Sequence, residues 1–251
     1  MEIELDAIYI VWLREVKKYF RAKERILSSL AMPLFWFLIF GSSMRYTINV
    51  GPNIDYSTFL APGIIAMALL FTSIFSGVSV IWDREFGFLK EILVAPVSRL
   101  SIVIGRSLGG ATTAVIQGTI IMILAILLGV KLSLFSIIVL IPLMTLISLG
   151  FVSLGITIAS LMETVEGFQL IMNFIVMPMF FLSGALFQIN NLPNIFKIFV
   201  YIDPMTYGVE ALRYVATGGF SSIPFYVSLS FVILFSVLTS IIGAYTFSRR
   251  K

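Results

Sequence analysis

The sequence predicts an all-α polytopic membrane protein with six transmembrane helices, on three observations. Of 251 residues, 59% are hydrophobic and 12% are charged, against roughly 25% charged in soluble globular chains. Six apolar runs each approach or exceed the about 20 residues that a bilayer crossing needs. Lipid leaves no open backbone satisfied, so each crossing must be a helix. Residues 1–251 read as one transmembrane domain. It comprises an interface helix (1–25), helices 1–5 (26–187), an outer re-entrant segment (188–224), and helix 6 with a tail (225–251).

Residues 1–25 carry Leu5, Ile8, Tyr9, Trp12, Val16, Tyr19 and Phe20 at helical spacing, with Arg14, Lys17, Lys18 and Arg21 on the other side. A basic helix with an aromatic stripe is expected to lie in the membrane interface, anchored by Trp12, Val16 and Phe20. Glu2, Glu4 and Asp6 suit its N-terminus. The first crossing follows at about Ile26–Met44, between Arg25 and Arg45. It comes after a charged segment and lacks a small-residue cleavage site, so a cleavable signal peptide is not expected.

The second crossing, Leu60–Ile81, and the third, Ser107–Leu128, flank the charged stretch Trp82–Arg106. That stretch reads as a loop with its own helical pattern. Phe86, Leu89 and Leu93 share one face, while Arg84, Lys90 and Glu91 lie mostly off it. Phe88 adds to the apolar face, and Glu85 to the charged rim. Gly87 would let the chain bend into the helix, and Ala95-Pro96 ends it. From pattern alone the helix either meets a soluble partner or lies on lipid.

Gly129-Val130-Lys131 makes a tight turn into the fourth crossing, Leu134–Leu161. A short link with Glu163 and Glu166, read as solvated loop charges, leads to the fifth, Phe168–Phe187. Residues 188–224 then alternate apolar pieces too short to span with Asn-Asn, Leu-Pro and Asp-Pro breaks, the pattern of a re-entrant or interfacial segment. Asp203-Pro204 reads as a helix start, Asp as N-cap and Pro as first helical residue. Glu210 and Arg213, three apart on that helix, read as an ion pair tying the hairpin down. The sixth crossing is Phe225–Phe247.

Lys and Arg counts set the expected orientation. Thirteen fall on the side of residues 1–25, the central loop and the tail, and four on the other side. The positive-inside rule then places both termini and the central loop in the cytoplasm.

Several function classes are excluded. The chain has no cysteine and no histidine, so thiol chemistry and the commonest proton shuttle and metal ligand are missing. H-E-x-x-H and G-x-S-x-G do not occur, and neither does the phosphate-cradling G-x-x-x-x-G-K-[ST]. The net charge of +4 sits in loops and is no nucleic-acid signal. An isolated proton-relay acid inside a crossing is not evident, which counts against a gradient-driven carrier or channel, the alternative transport class.

Leu60-Ala61-Pro62-Gly63, Asp83-Arg84-Glu85-Phe86-Gly87, Ala95-Pro96-Val97-Ser98-Arg99 and Gly105-Arg106 resemble the membrane subunit of ABC-2 type exporters. So do Leu182-Ser183-Gly184, Leu192-Pro193, Asp203-Pro204-Met205-Thr206-Tyr207 and Glu210-Ala211-Leu212-Arg213. Order and spacing match over most of the chain, and the likeness is to the drug-resistance and nodulation-type permease branch. The resemblance implies a cytoplasmic coupling helix at Arg84–Glu91 (Arg84, Glu85, Phe86, Gly87, Phe88, Leu89, Lys90, Glu91). It implies an outer re-entrant hairpin before helix 6, a homodimer in the cell membrane, and a separate cytosolic ATPase that carries ATP and magnesium. It also suggests that the second and fifth crossings line a cargo path, with Asn173, Met177, Phe180 and Phe181 upon it. A Met- and Phe-rich wall suits a hydrophobic or amphipathic cargo; equally, it suits lipid contact or helix packing.

Overall fold

A computed structural model describes residues 4–44, 54–86 and 97–249, and every regular element among them is helical. The elements are α1 (Leu5–Arg21), α2 (Lys23–Ser43), α3 (Tyr56–Ser76), α4 (Val78–Glu85), α5 (Arg99–Leu127), α6 (Leu134–Leu161), α7 (Val165–Ile171), α8 (Met177–Leu182), α9 (Asn194–Ile202), α10 (Pro204–Thr217) and α11 (Phe225–Arg249). Six stretches are long and apolar enough to cross a membrane: α2, α3 with α4, α5, α6, α7 with α8, and α11.

The bundle is built around α3. Phe59 through Leu70 are all buried, as a helix apolar on every side must be. It packs against α2, α5, α6 and α10. At Gly77 the helix bends into α4. A side chain on Gly77 would collide with the backbone of Gly155, and one on Gly155 would meet the carbonyl of Ile74. Two glycines therefore let α6 cross the bend with backbones in contact, the small-residue packing common between membrane helices. α6 also carries α11, where Ser236 Oγ donates to the Leu146 carbonyl at 2.8 Å and Ser153 lies 3.1 Å from Ser240.

The fifth crossing is not one regular helix. Met172–Val176 forms a π turn between α7 and α8. Pro178 has no N–H to continue the regular ladder, and π turns are frequent at functional sites. The chain then turns at Gly184, whose φ of +73° favours glycine. The short α9 buries only Val200. α10, by contrast, is buried for most of its length. Asp203 caps it by accepting the Met205 N–H at 2.8 Å, Pro204 opens it, and left-handed Gly218 closes it.

The second crossing begins at Tyr56 rather than Leu60 and the fifth at Val165 rather than Phe168, and two further boundaries differ more. The charged stretch Trp82–Arg106 is not all loop: Trp82–Glu85 end α4, and Arg99–Arg106 begin α5. The third crossing therefore starts eight residues before Ser107. At 1.5 Å per residue, α5 is about 43 Å long, well beyond a hydrocarbon core of about 30 Å. Of the charges in this stretch, Asp83 and Arg106 are paired with each other. The fifth crossing ends at Leu182 rather than Phe187, because Gly184 takes the left-handed conformation.

Candidate functional site

At one end of the bundle α1 lies lengthwise on α5. The Glu4 N–H donates to Ser101 Oγ at 3.0 Å, Trp12 Nε1–H to Thr112 Oγ1 at 3.0 Å, and Tyr19 O–H to Gln117 Oε1 at 3.3 Å. Gly105 and Gly109 make the approach possible. A Cβ on Gly105 would stand 2.8 Å from the Ile8 carbonyl, and one on Gly109 2.6 Å from the Glu15 Cβ. The docked face is thus Ile8, Val11, Trp12, Glu15 and Tyr19. Of the three expected anchors, Trp12 is held by α5, Val16 is half-buried, and Phe20 is 53% exposed.

Asp83 closes this end. It is buried on α4, and its carboxylate takes Arg14 of α1 on one oxygen at 2.9 Å and Arg106 of α5 on the other. Arg106 also stands over the Phe247 ring of α11 at 5.8 Å. Burying one carboxylate is tolerable only when it is paired, and two guanidiniums satisfy it. Sequence reasoning missed this acid inside the second crossing. Because it is paired and near the helix end, it is not an isolated proton relay. The available signal was a lone Asp after the apolar run ending at Ile81, with Arg106 bordering the next.

The expected coupling residues divide. Arg84 donates from Nη2 to the Ala159 carbonyl at 3.0 Å, a cation on the last carbonyls of α6. Glu85 and Phe86 are exposed, Phe86 by 72%. Gly87, Phe88, Leu89, Lys90 and Glu91 lie outside the described residues. The structure therefore ties the start of the stretch to α1, α5 and α6 and leaves Phe86 unburied.

At the opposite end Glu210 and Arg213 form a fully buried ion pair. Arg213 also donates to the carbonyls of Gly184 at 2.8 Å, Ala185 at 3.3 Å and Phe59 at 3.4 Å, and its guanidinium lies 3.9 Å over the Phe59 ring. Glu210 accepts from the Ser222 and Ile223 N–H groups. One pair thus fixes the start of α3, the turn after α8 and the loop before α11. Burial lowers the Arg213 pKa, and Glu210 opposes that shift. Burial also raises Asp203, to about 7, against the lowering by its bond from Met205.

The four residues expected on a cargo path have different surroundings within one chain. Asn173 is exposed on the bundle exterior. Met177 lines a cavity between α1, α2, α3 and α5. Phe180 is buried edge-on to Phe71, and Phe181 meets Trp36.

Comparison with known proteins identifies the family. The family described as ABC-2 type transporter matches residues 6–217. A transport permease, ycf38, of Cyanophora paradoxa is 31% identical over 193 residues, covering 75% of this chain and 67% of that protein. Nodulation protein J of Rhizobium leguminosarum bv. viciae is 27% identical over 206 residues, 81% of this chain and 79% of its own. Nodulation protein J of Rhizobium meliloti is 28% identical over 211 residues, covering 83% and 80%. With the match spanning α1 through α10, the chain belongs to the ABC-2 type transporter family and is a multi-pass membrane permease.

Proposed function

We propose that the chain is the permease subunit of an ATP-driven exporter that moves a hydrophobic or amphipathic cargo (a drug, a lipid or a lipid-linked glycan) out of the cell. Two copies form the membrane unit, with both termini in the cytoplasm and the complex in the cell membrane. A separate ATPase binds ATP and magnesium, because this chain encodes no phosphate-cradling loop. The ATPase docks on the segment that begins at Arg84 and Glu85.

The observation that supports this reading best is the joint at Asp83. A partner must pass force through a stiff contact. Asp83 and Arg84 bind α4, the helix that leads into that segment, to α1, α5 and α6 at once. A gradient-driven carrier would need a titratable group poised in its pathway. The buried charges at Asp83 and Glu210 are instead neutralised by arginines.

The test is co-purification with the ATPase encoded beside this chain, followed by ATPase and transport assays in proteoliposomes. Cargo-stimulated hydrolysis and ATP-dependent export are expected. Export driven by an ion gradient without ATP would replace this reading with the carrier.

A further inference from the structure

Beneath α1 a partly open cavity of about 520 Å³ lies between α1, α2, α3 with α4, and α5, with Met177 of α8 also lining it. This volume falls in the range of small-molecule sites. Its wall is chemically mixed. Met67, Phe71 and Met177 line it, and so do Glu15, Lys18 and Gln117. Most hydroxyls around it are spent on their own helices: Ser29 donates to the Ile26 carbonyl, Ser76 to Ser73, Ser79 to Ser76 and Thr113 to Gly110.

Two groups are not spent. Gln117 is 1% exposed, and its Nε2 has no hydrogen-bond partner among the described residues, although its Oε1 accepts from Tyr19. With the amide oxygen turned to the Tyr19 hydroxyl, Nε2 is the atom left without a partner among the described residues. The buried Glu15 Oε1 likewise has no partner among them. Leaving such groups unmatched in a dry interior is costly. A carboxylate oxygen calls for a donor, best a charged one. The Gln117 amide N–H calls for an acceptor, and Lys18, which lines the same cavity with its ammonium 5.6 Å over the Trp82 ring, brings a positive charge to the wall.

We propose that this cavity binds a single-chain amphiphile with a zwitterionic head, a primary ammonium on Glu15 and a phosphate between Lys18 and Gln117, with its chain among Met67, Phe71 and Met177. The methionines adapt to a flexible chain. The site lies within one copy of the chain, so it needs no second permease. It rests on the permease reading only in that an occupant would come from the surrounding membrane.

The experiment is native mass spectrometry of the full-length detergent-solubilised protein with three probes. Lysophosphatidylethanolamine supplies all three features, lysophosphatidylcholine has no N–H on its cation, and lysophosphatidic acid has no cation. One lysophosphatidylethanolamine per chain is expected, held about tenfold more tightly than either other probe, the worth of one charge-assisted hydrogen bond. Glu15→Gln should erase the preference for the ammonium, and Met67→Trp, which fills part of the cavity, should abolish retention. Thermal melting identifies any variant that fails to fold; Gln117→Leu then stands in, expected to weaken binding about tenfold. Equal retention of the three probes, or retention unchanged by these substitutions, would mean lipid adhering to the exterior and would overturn the site. Saturable, head-selective binding by a protein that shows no ATP-dependent export in proteoliposomes would leave this site standing and remove the permease mechanism. Cargo-stimulated hydrolysis without selective binding would do the reverse.

Discussion

Arg14 of α1 holds one oxygen of Asp83 at 2.9 Å while Arg106 of α5 holds the other. The two arms are unequal, since the Arg14 side chain is 40% exposed and that of Arg106 is 3%. Water screens the first arm, and exposed pairs contribute about 1 kcal/mol or less. Removing one partner of a buried pair strands a charge and costs about 3–5 kcal/mol. Arg14→Ala should therefore barely move the detergent unfolding temperature, whereas Asp83→Ala should lower it strongly. Equal losses would contradict the asymmetry.

Gly105 and Gly109 should be equally decisive for α1. Gly109→Leu would place a side chain where Glu15 Cβ and the Trp12 carbonyl stand, forcing the helices apart. With no native cysteine, a disulfide between cysteines at Ile8 and Gly105 cannot report the wedge without altering the site. A pair at Glu4 and Ser101, joined by a hydrogen bond in the wild type, can. Crosslinking should be efficient in the wild-type background and lost with Gly109→Leu. Trp12→Glu should also reduce it, because Trp12 bonds to Thr112, while Phe20→Glu should not. Unchanged crosslinking in Gly109→Leu would show that α1 is not seated by the glycines.

These two cases show how far the sequence could be read. The crossings were legible because runs of apolar residues announce themselves, and Leu134–Leu161 coincides with α6 at both ends. Charge was misleading. Asp83 and Arg106 read as loop markers because nothing local shows that they neutralise each other across a turn of chain. The stripe on α1 was likewise assigned from its own residues, whereas its docked face is chosen by glycines on α5. The π turn at Met172–Val176 left no signal beyond Pro178.

The expected topology can be checked by labelling. Single cysteines at Asn190 and Ser98 lie at opposite ends of the bundle, and positive-inside counting puts the first outside. An impermeant thiol reagent should modify Asn190→Cys on intact cells and leave Ser98→Cys untouched until the membrane is opened. Labelling of Ser98→Cys from outside would invert the orientation.

Asp203 predicts a pH dependence. Its pKa is raised by burial to about 7, against about 3.9 in an unfolded chain. Between those values the folded protein holds a proton that the unfolded one has lost. This contribution therefore favours the fold below about pH 4, and it is lost as pH rises to about 7. Oδ2 has no hydrogen-bond partner among the described residues, and Oδ1 caps α10. Asp203→Asn keeps the capping oxygen and cannot ionise. Its unfolding temperature should fall less than that of the wild type between about pH 5 and pH 8. Parallel curves for the two proteins would remove Asp203 as the source.

The last prediction concerns the segment that follows α4. Phe86 follows the end of α4, 72% exposed, two residues after Arg84, which with Asp83 is anchored to the bundle. Asp83 ties α4 to α1 and α5, and Arg84 ties it to the end of α6. A push on the segment beyond Phe86 would therefore reach three helices without being absorbed by a flexible joint. Phe88 and Leu89, outside the described residues, carry the apolar character expected of a few buried interface anchors, worth about 2 kcal/mol or more each. Phe88→Ala with Leu89→Ala should leave insertion, dimer formation and thermal stability unchanged, because the bonds of the Asp83 joint run to Arg14 and Arg106. The same pair should stop export and make the partner's ATP hydrolysis insensitive to cargo. Asp83→Asn should differ: the docking segment is intact but its anchor is not, so the ATPase should still co-purify while coupling is lost. Normal export from the double alanine variant would sink the assignment of this segment to coupling. Loss of ATPase binding in Asp83→Asn would show that the joint shapes the docking surface itself, not only the path of force behind it.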